Sequence, residues 1–224
     1  MVNTARMWQG LSLVLALLVT VSFGRVGSAE VLDTPFGSTN VELDPGFVSA
    51  LTNLGVLVEQ IGPANLSTVT DDTGATTSTV ASFPVQTGAA NTDPVGLDLL
   101  HAGGLKFSVG ETSAEISDYV YNTNAADPAT GEVLLQGRAV SQSSGDAVTA
   151  FTRAPLFNLD LAGITIDQPS DLTDIGVLRA TGVVLTLTPE AANFLNSTFG
   201  LDESNGLAAG TVIGTADVEV VTTR

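Results

Sequence analysis

The sequence predicts a mostly β domain: a two-layer antiparallel sandwich or flattened barrel carrying two short capped helices. Three observations predict it. Short runs that alternate apolar and polar residues recur along the chain. Turn signals such as TDDTG (70–74), DPATGE (127–132) and SSGD (143–146) separate them. Long helical periodicity is absent, and repeated strands with short turns stack most simply as two antiparallel layers.

Residues 1–29 read as an export signal. MVNTARMWQG carries one charge, Arg6, and the apolar run LSLVLALLVTVSFG follows. Gly27 and Ala29 then stand at the −3 and −1 positions of a cut before Glu30. The run is short for a membrane span, and an uncleaved anchor is the alternative. Residues 30–224 form the expected single domain, secreted or periplasmic. That segment has no Cys, Trp or Met and one His, with five basic residues against all 24 acidic ones, a net charge of −19. A chain of this length buries a core without disulfides. Its acidity argues against nucleic acid and anionic membrane surfaces as partners, because both need basic patches. No second apolar run follows, so no membrane span is expected after signal removal.

In chain order, DPGFVSALTNLG (44–55) predicts a short helix. Asp44 is its N-cap, Pro45 its first residue and Gly55 lies past its end, with Phe47, Leu51 and Leu54 on one stripe. Residues 68–96 read as a Thr/Asp-rich, mobile loop region around one short strand, TVASFPV (79–85). LDLLHAGGLKFSVG (97–110) holds the lone His101. Its strand LKFSV turns at Gly110-Glu111 and returns as SAEISDYVY. EVLLQGRAV, LFNLDLAGITI and VLRATGVVLTLT are further strands, with Phe157, Leu159 and Leu161 expected inward. TPEAANFLNSTFG (188–200) repeats the helix signature with Thr188, Pro189 and Gly200, and Ala191, Leu195 and Phe199 form its stripe. VELDPGFVSALTNLG parallels LTLTPEAANFLNSTFG, and IGPANL (61–66) parallels IGTADV (213–218). This internal pseudo-repeat predicts one domain closed by its ends.

LKFSVG, DYVYNT, APLFNLDLAG, LTPEAANFLNSTFG and GTADV occur in an order that resembles a family of secreted bacterial domains of unknown function, over about residues 38–221. More distantly, the chain is similar to HtaA-type haem-binding domains of actinobacterial surface proteins. HAGGL (101–105) fits that family's histidine strand, and Phe47 fits the phenylalanine of its early helix. The resemblance implies two antiparallel sheets with short helices. It also implies a haem whose iron is bound by a helix tyrosine that the histidine supports. The tyrosine position falls near Ala50, and no tyrosine precedes Tyr119.

The residues leave several chemistries to weigh. His101, Tyr119 and Tyr121 are the candidate cofactor residues if haem is bound. One His without Cys makes neither a zinc set nor a haem pair, and the ordinary reading of His101 is a strand-end residue bonded to backbone, followed by a Gly103-Gly104 turn or bulge. A serine hydrolase lacks its G-x-S-x-G elbow. A glycosidase lacks a Trp to stack on sugar. Calcium has oxygen ligands on offer at Asp71 and Asp72, and at Asn122, Asn124, Asp127 and Glu132, without EF-hand spacing. Arg138, Arg153 and Arg179 read as ion-pair or edge-protecting residues. Asn65 and Asn196 open N-x-[ST] sequons. The expectation is a non-catalytic secreted or cell-envelope binding or structural module, with an extracellular partner or apolar small ligand. Haem binding is the alternative and a hydrolase the third reading.

Overall fold

The computed structural model describes residues 31–74, 76–91, 97–126, 133–143, 149–162, 165–167, 175–202 and 204–223. The expected export signal lies outside them. The chain runs β1 (Val31–Leu43), α1 (Pro45–Asn53), β2 (Leu57–Ile61), β3 (Asn65–Thr70), β4 (Thr76–Asn91), β5 (Leu97–His101) and β6 (Gly104–Val109). It continues through β7 (Thr112–Ala126), β8 (Val133–Gln142), β9 (Thr149–Asp160), β10 (Thr165–Asp167), β11 (Ile175–Leu187), α2 (Pro189–Phe199) and β12 (Val212–Thr223). Eight strands close a barrel in the order β1-β4-β5-β7-β8-β9-β11-β12, and β12 pairs back onto β1. Every pairing is antiparallel. The remaining strands are additions: β6 and β2 extend from β7, β3 lies on β4, and β10 lies on β11.

The period-two pattern explains which face is inside. On β1, Thr39, Val41 and Leu43 are buried while Asn40 and Glu42 are exposed. Ala81, Phe83 and Val85 do the same on β4, and Val183, Leu185 and Leu187 on β11. One large apolar cluster results, with a smaller one of Val85, Leu99, Leu178 and Val220. Both helices form as their caps dictate. Asp44 Oδ1 accepts from the Gly46 and Phe47 amides, and Thr188 Oγ1 accepts from the Ala191 amide. Phe47 and Leu51 of α1, and Ala191 and Leu195 of α2, are buried in the large cluster. Each large side chain so buried contributes roughly 2 kcal/mol.

Long strands bend where they change partners. The first part of β7 pairs with β6 and the later part with β5, and the register on β8 shifts between Ser117 and Val120. At that point Asp118 has φ +54°, the left-handed region. On β11 the shift between Ala180 and Val183 spans Gly182 at φ +82°, where the partner changes from β10 to β9. A bulge turns a strand without ending it, which lets one strand serve both the barrel and an extension.

Two expectations are corrected. The 68–96 stretch is no loop around a short strand: β4 alone takes sixteen residues of it, and 92–96 lie outside the described residues. Threonine is β-branched and favours a paired strand, and β4 has partners on both sides. LFNLDLAGITI is two strands, with β9 ending at Asp160 and β10 starting at Thr165. The internal likeness holds through strand and helix only. After α1, β2 pairs with β6, whereas after α2, β12 lies between β1 and β11.

Thr34 on β1 is fully buried, and its hydroxyl has no hydrogen-bond partner among the described residues. Replacing it with the isosteric Val removes an unpaired polar atom. Thr34→Val is expected to stabilise the chain by about 1 kcal/mol. In urea this appears as a raised midpoint at unchanged slope, and a lowered midpoint would contradict it.

Candidate functional site

Inside the barrel is a cavity of about 90 Å³. Its wall is apolar, from residues such as Val41, Phe83, Leu99, Leu159, Val183 and Ala216. His101, Tyr119 and Tyr121, singled out from the sequence, all border it, together with Thr39. Tyr121, Leu135, Phe157, Leu161 and Val218 are half-buried members of the lining.

His101 ends β5 opposite Val85 of β4 and is 4% exposed. The strand stops there because Gly103 takes φ +79° in the turn to β6. A Cβ at that position would meet the Ile61 carbonyl at 2.5 Å, so glycine is required twice over. The Ala102 amide donates to Pro84 O and the Asp118 amide to Gly103 O, which pins the turn between β4 and the β7 bulge.

Both imidazole nitrogens are engaged. Nδ1 lies 3.3 Å from the Tyr119 carbonyl and Nε2 lies 2.7 Å from Thr39 Oγ1. A carbonyl only accepts, so Nδ1 carries the proton and Nε2 accepts from the Thr39 hydroxyl. Burial lowers the imidazole pKa from 6.5 to about 4, partly offset by the Tyr119 carbonyl, so the ring is neutral. The expected strand-end histidine bonded to backbone is thus half of the arrangement. Thr39 is the other half, and no sequence signal marks it, since its partner lies 62 residues away.

Tyr119 is buried edge-on against Phe83, with ring centres 4.9 Å apart. Its phenol donates to Ile116 O at 3.0 Å. It therefore meets His101 through its main chain, not its side chain. Gly137 leaves the space beside this ring, since a Cβ there would lie 3.3 Å from Tyr119 Cδ1. Burial pushes the Tyr119 phenol well above its ordinary pKa and, with the charge of Asp98, pushes Tyr121 up to about 12. Neither phenol is poised to ionise, as an iron-binding tyrosinate must be. No residue of α1 lines the cavity, and Ala50 lies on that helix.

The order hydroxyl, imidazole, carbonyl has the outline of an activated nucleophile. Its chemistry is weaker. An imidazole with a pKa of about 4 is a poor base at neutral pH, and a carbonyl lacks the charge that would steady an imidazolium. The arrangement is a neutral hydrogen-bond relay.

Other sequence candidates resolve structurally. Asp71 Oδ1 accepts from the Thr73 amide and hydroxyl, which makes TDDTG a side-chain-capped turn. In NTNAADPATGE, Asp127 and Glu132 and the side chains of Asn122 and Asn124 lie outside the described residues. Among the described residues no three His, Cys, Asp or Glu side chains gather for a metal ion. Arg179 pairs across strands with Glu219 at 2.7 Å in an exposed ion pair, which solvent screens. The Asn196 amide is engaged at both ends with the Leu207 main chain, tying the segment before β12 to α2. A wider groove, about 810 Å³, lies between α2 and strands β8 and β9, beside the edge-on pair Phe151–Phe194.

No protein-family model matches this sequence, and no curated protein does. The fold is shared with a solved structure, the C-terminal domain of HtaA from Corynebacterium glutamicum. The two align at TM-score 0.56 and 12% identity over 85% of this chain and 99% of that one. The heme binding protein HtaB from Corynebacterium glutamicum aligns at TM-score 0.48 and 14% identity, over 88% and 96%. The distant similarity to HtaA-type domains expected from HAGGL and Phe47 is thereby supported.

The buried imidazole makes stability pH-dependent. Unfolded His101 titrates near 6.5 and folded His101 near 4, so the unfolded chain binds the extra proton between these values. This contribution is complete above about pH 6.5, falls as pH drops, and is lost below about 4, about 3 kcal/mol in all. Subtracting the urea unfolding free energy of His101→Gln from that of the unmodified chain, at several pH values across the window, isolates it. A difference that stays flat contradicts a neutral buried ring.

Proposed function

We propose that this chain is a secreted, non-catalytic binding module that takes a small apolar ligand into its barrel. The observation that carries the reading is the cavity itself, apolar on almost every side and enclosed by a closed ring of strands. An apolar guest makes packing contacts with such a wall. Secretion is inferred from the pattern of residues 1–29, and among the described residues no helix is long and apolar enough to cross a membrane. A non-catalytic role is supported by the weak basicity of His101.

Haem is the competing ligand, since HtaB binds heme by its name and HtaA-type domains share this fold. The geometry supports it less well. A cavity of about 90 Å³ has no room for a planar macrocycle the size of haem, and both phenols are held protonated.

Titration with toluene, followed by methyl NMR, tests the reading. Saturable shifts are expected at Leu99, Leu159, Val183 and Val218. Ala180→Leu, which fills the cavity from β11, is expected to weaken binding at least about tenfold at a stability cost of roughly 1–3 kcal/mol. Absence of saturable internal shifts sinks the proposal. Haemin is titrated in parallel, and a shifted Soret band weakened by His101→Ala or Tyr119→Phe would put haem in its place.

A further inference from the structure

We infer that the ligand class is a small apolar molecule carrying one hydroxyl group, a phenol or short alcohol, whose hydroxyl donates to Thr39 Oγ1. This rests on the barrel-interior reading and names the chemistry of its occupant.

The donors and acceptors around the cavity decide the class. The Thr39 hydroxyl proton goes to His101 Nε2, and the His101 Nδ1 proton goes to the Tyr119 carbonyl. The Tyr119 phenol proton goes to Ile116 O. Each of these deep donors is engaged. Thr39 Oγ1 makes one hydrogen bond among the described residues, as donor, which leaves the acceptor side of its oxygen free. Thr39 borders the cavity and is 9% exposed. A ligand hydroxyl fits that acceptor, whereas the one lining side-chain donor open to a ligand carbonyl is the half-buried Tyr121 phenol, away from the relay.

The relay favours such a guest further. A ligand O–H on Oγ1 extends an existing chain: ligand hydroxyl to Thr39, Thr39 to His101, His101 to the Tyr119 carbonyl. Each bond polarises the next in a low-dielectric interior. No charge is created and no proton changes owner. His101 acts here as a positioning residue, because its Nε2 holds the Thr39 proton away from the guest. The apolar remainder of the guest lies against the wall of the cavity, which includes Leu135 and the ring of Tyr121.

The test compares phenol with toluene, which differ by hydroxyl against methyl, on the unmodified chain and on three variants. Thr39→Val is expected to weaken phenol about tenfold while toluene changes less than about twofold, the size of one buried hydrogen bond. Thr39→Ser is expected to keep the phenol affinity of the parent. His101→Gln is expected to reduce the phenol preference without loss of toluene binding. If phenol and toluene respond equally to Thr39→Val, the hydroxyl anchor is wrong while the cavity reading stands. If neither phenol nor toluene binds the parent chain, both are overturned. Circular dichroism melts of each variant separate lost binding from lost fold, and a Thr39→Val chain that fails to fold leaves the Thr39→Ser and His101→Gln arms to decide.

Discussion

Closure of the ring by β1 is the constraint on which the rest depends. β1 is hydrogen-bonded to β4 along one edge and to β12 along the other, so the first and last strands of the described chain complete each other's pairing. Closure removes the exposed edges that an open sheet of these strands would present. It also requires a tight seam. Gly37 lies where a Cβ would meet the Glu219 carbonyl at 2.4 Å, so the two end strands approach closely only because that residue has no side chain. With the seam closed, inward residues from eight strands face one another. The volume they fail to fill is the cavity.

The cavity lies where two buried clusters meet. Register puts Thr39 opposite Phe83 of the larger cluster and His101 opposite Val85 of the smaller. A polar pair at that junction costs desolvation, offset because each polar atom finds a partner: hydroxyl to imidazole, imidazole to carbonyl. Tyr119 supports the same point twice, by its main-chain carbonyl and by its ring against Phe83. The β7 bulge at Asp118 brings both to bear, because it bends the strand as it leaves β6 for β5. The side-chain partner of His101 is a threonine on β1.

Local features of the fold were legible because their causes are local. Asp44 and Thr188 cap helices through amides two or three residues away, and the proline and glycine beside them act through their own backbone angles. Leu105 and Phe107 read as one face of a strand because the side-chain period is a property of the strand itself. The misread stretch failed for the opposite reason. Nothing within 76–91 says that β1, β3 and β5 lie beside it, and those partners make a long strand of threonine, glycine and alanine. The site divides the same way. His101, Tyr119 and Tyr121 stand out by rarity, whereas Thr39 is one threonine among many.

By itself, the sequence determined the class of the domain: strand periods, two helix caps, turn positions, an acidic composition and a single histidine with no cysteine. Each follows from residues within a turn or two of one another, or from composition. Only the tertiary structure decided that the layers close into a barrel and that β7 and β11 change partners at bulges. It alone decided that Thr39, 62 residues from His101, bonds to the imidazole, and that burial in an apolar interior keeps that ring neutral. Those outcomes are set by pairing between distant strands, where the free energy lies in contacts that no short window of sequence contains.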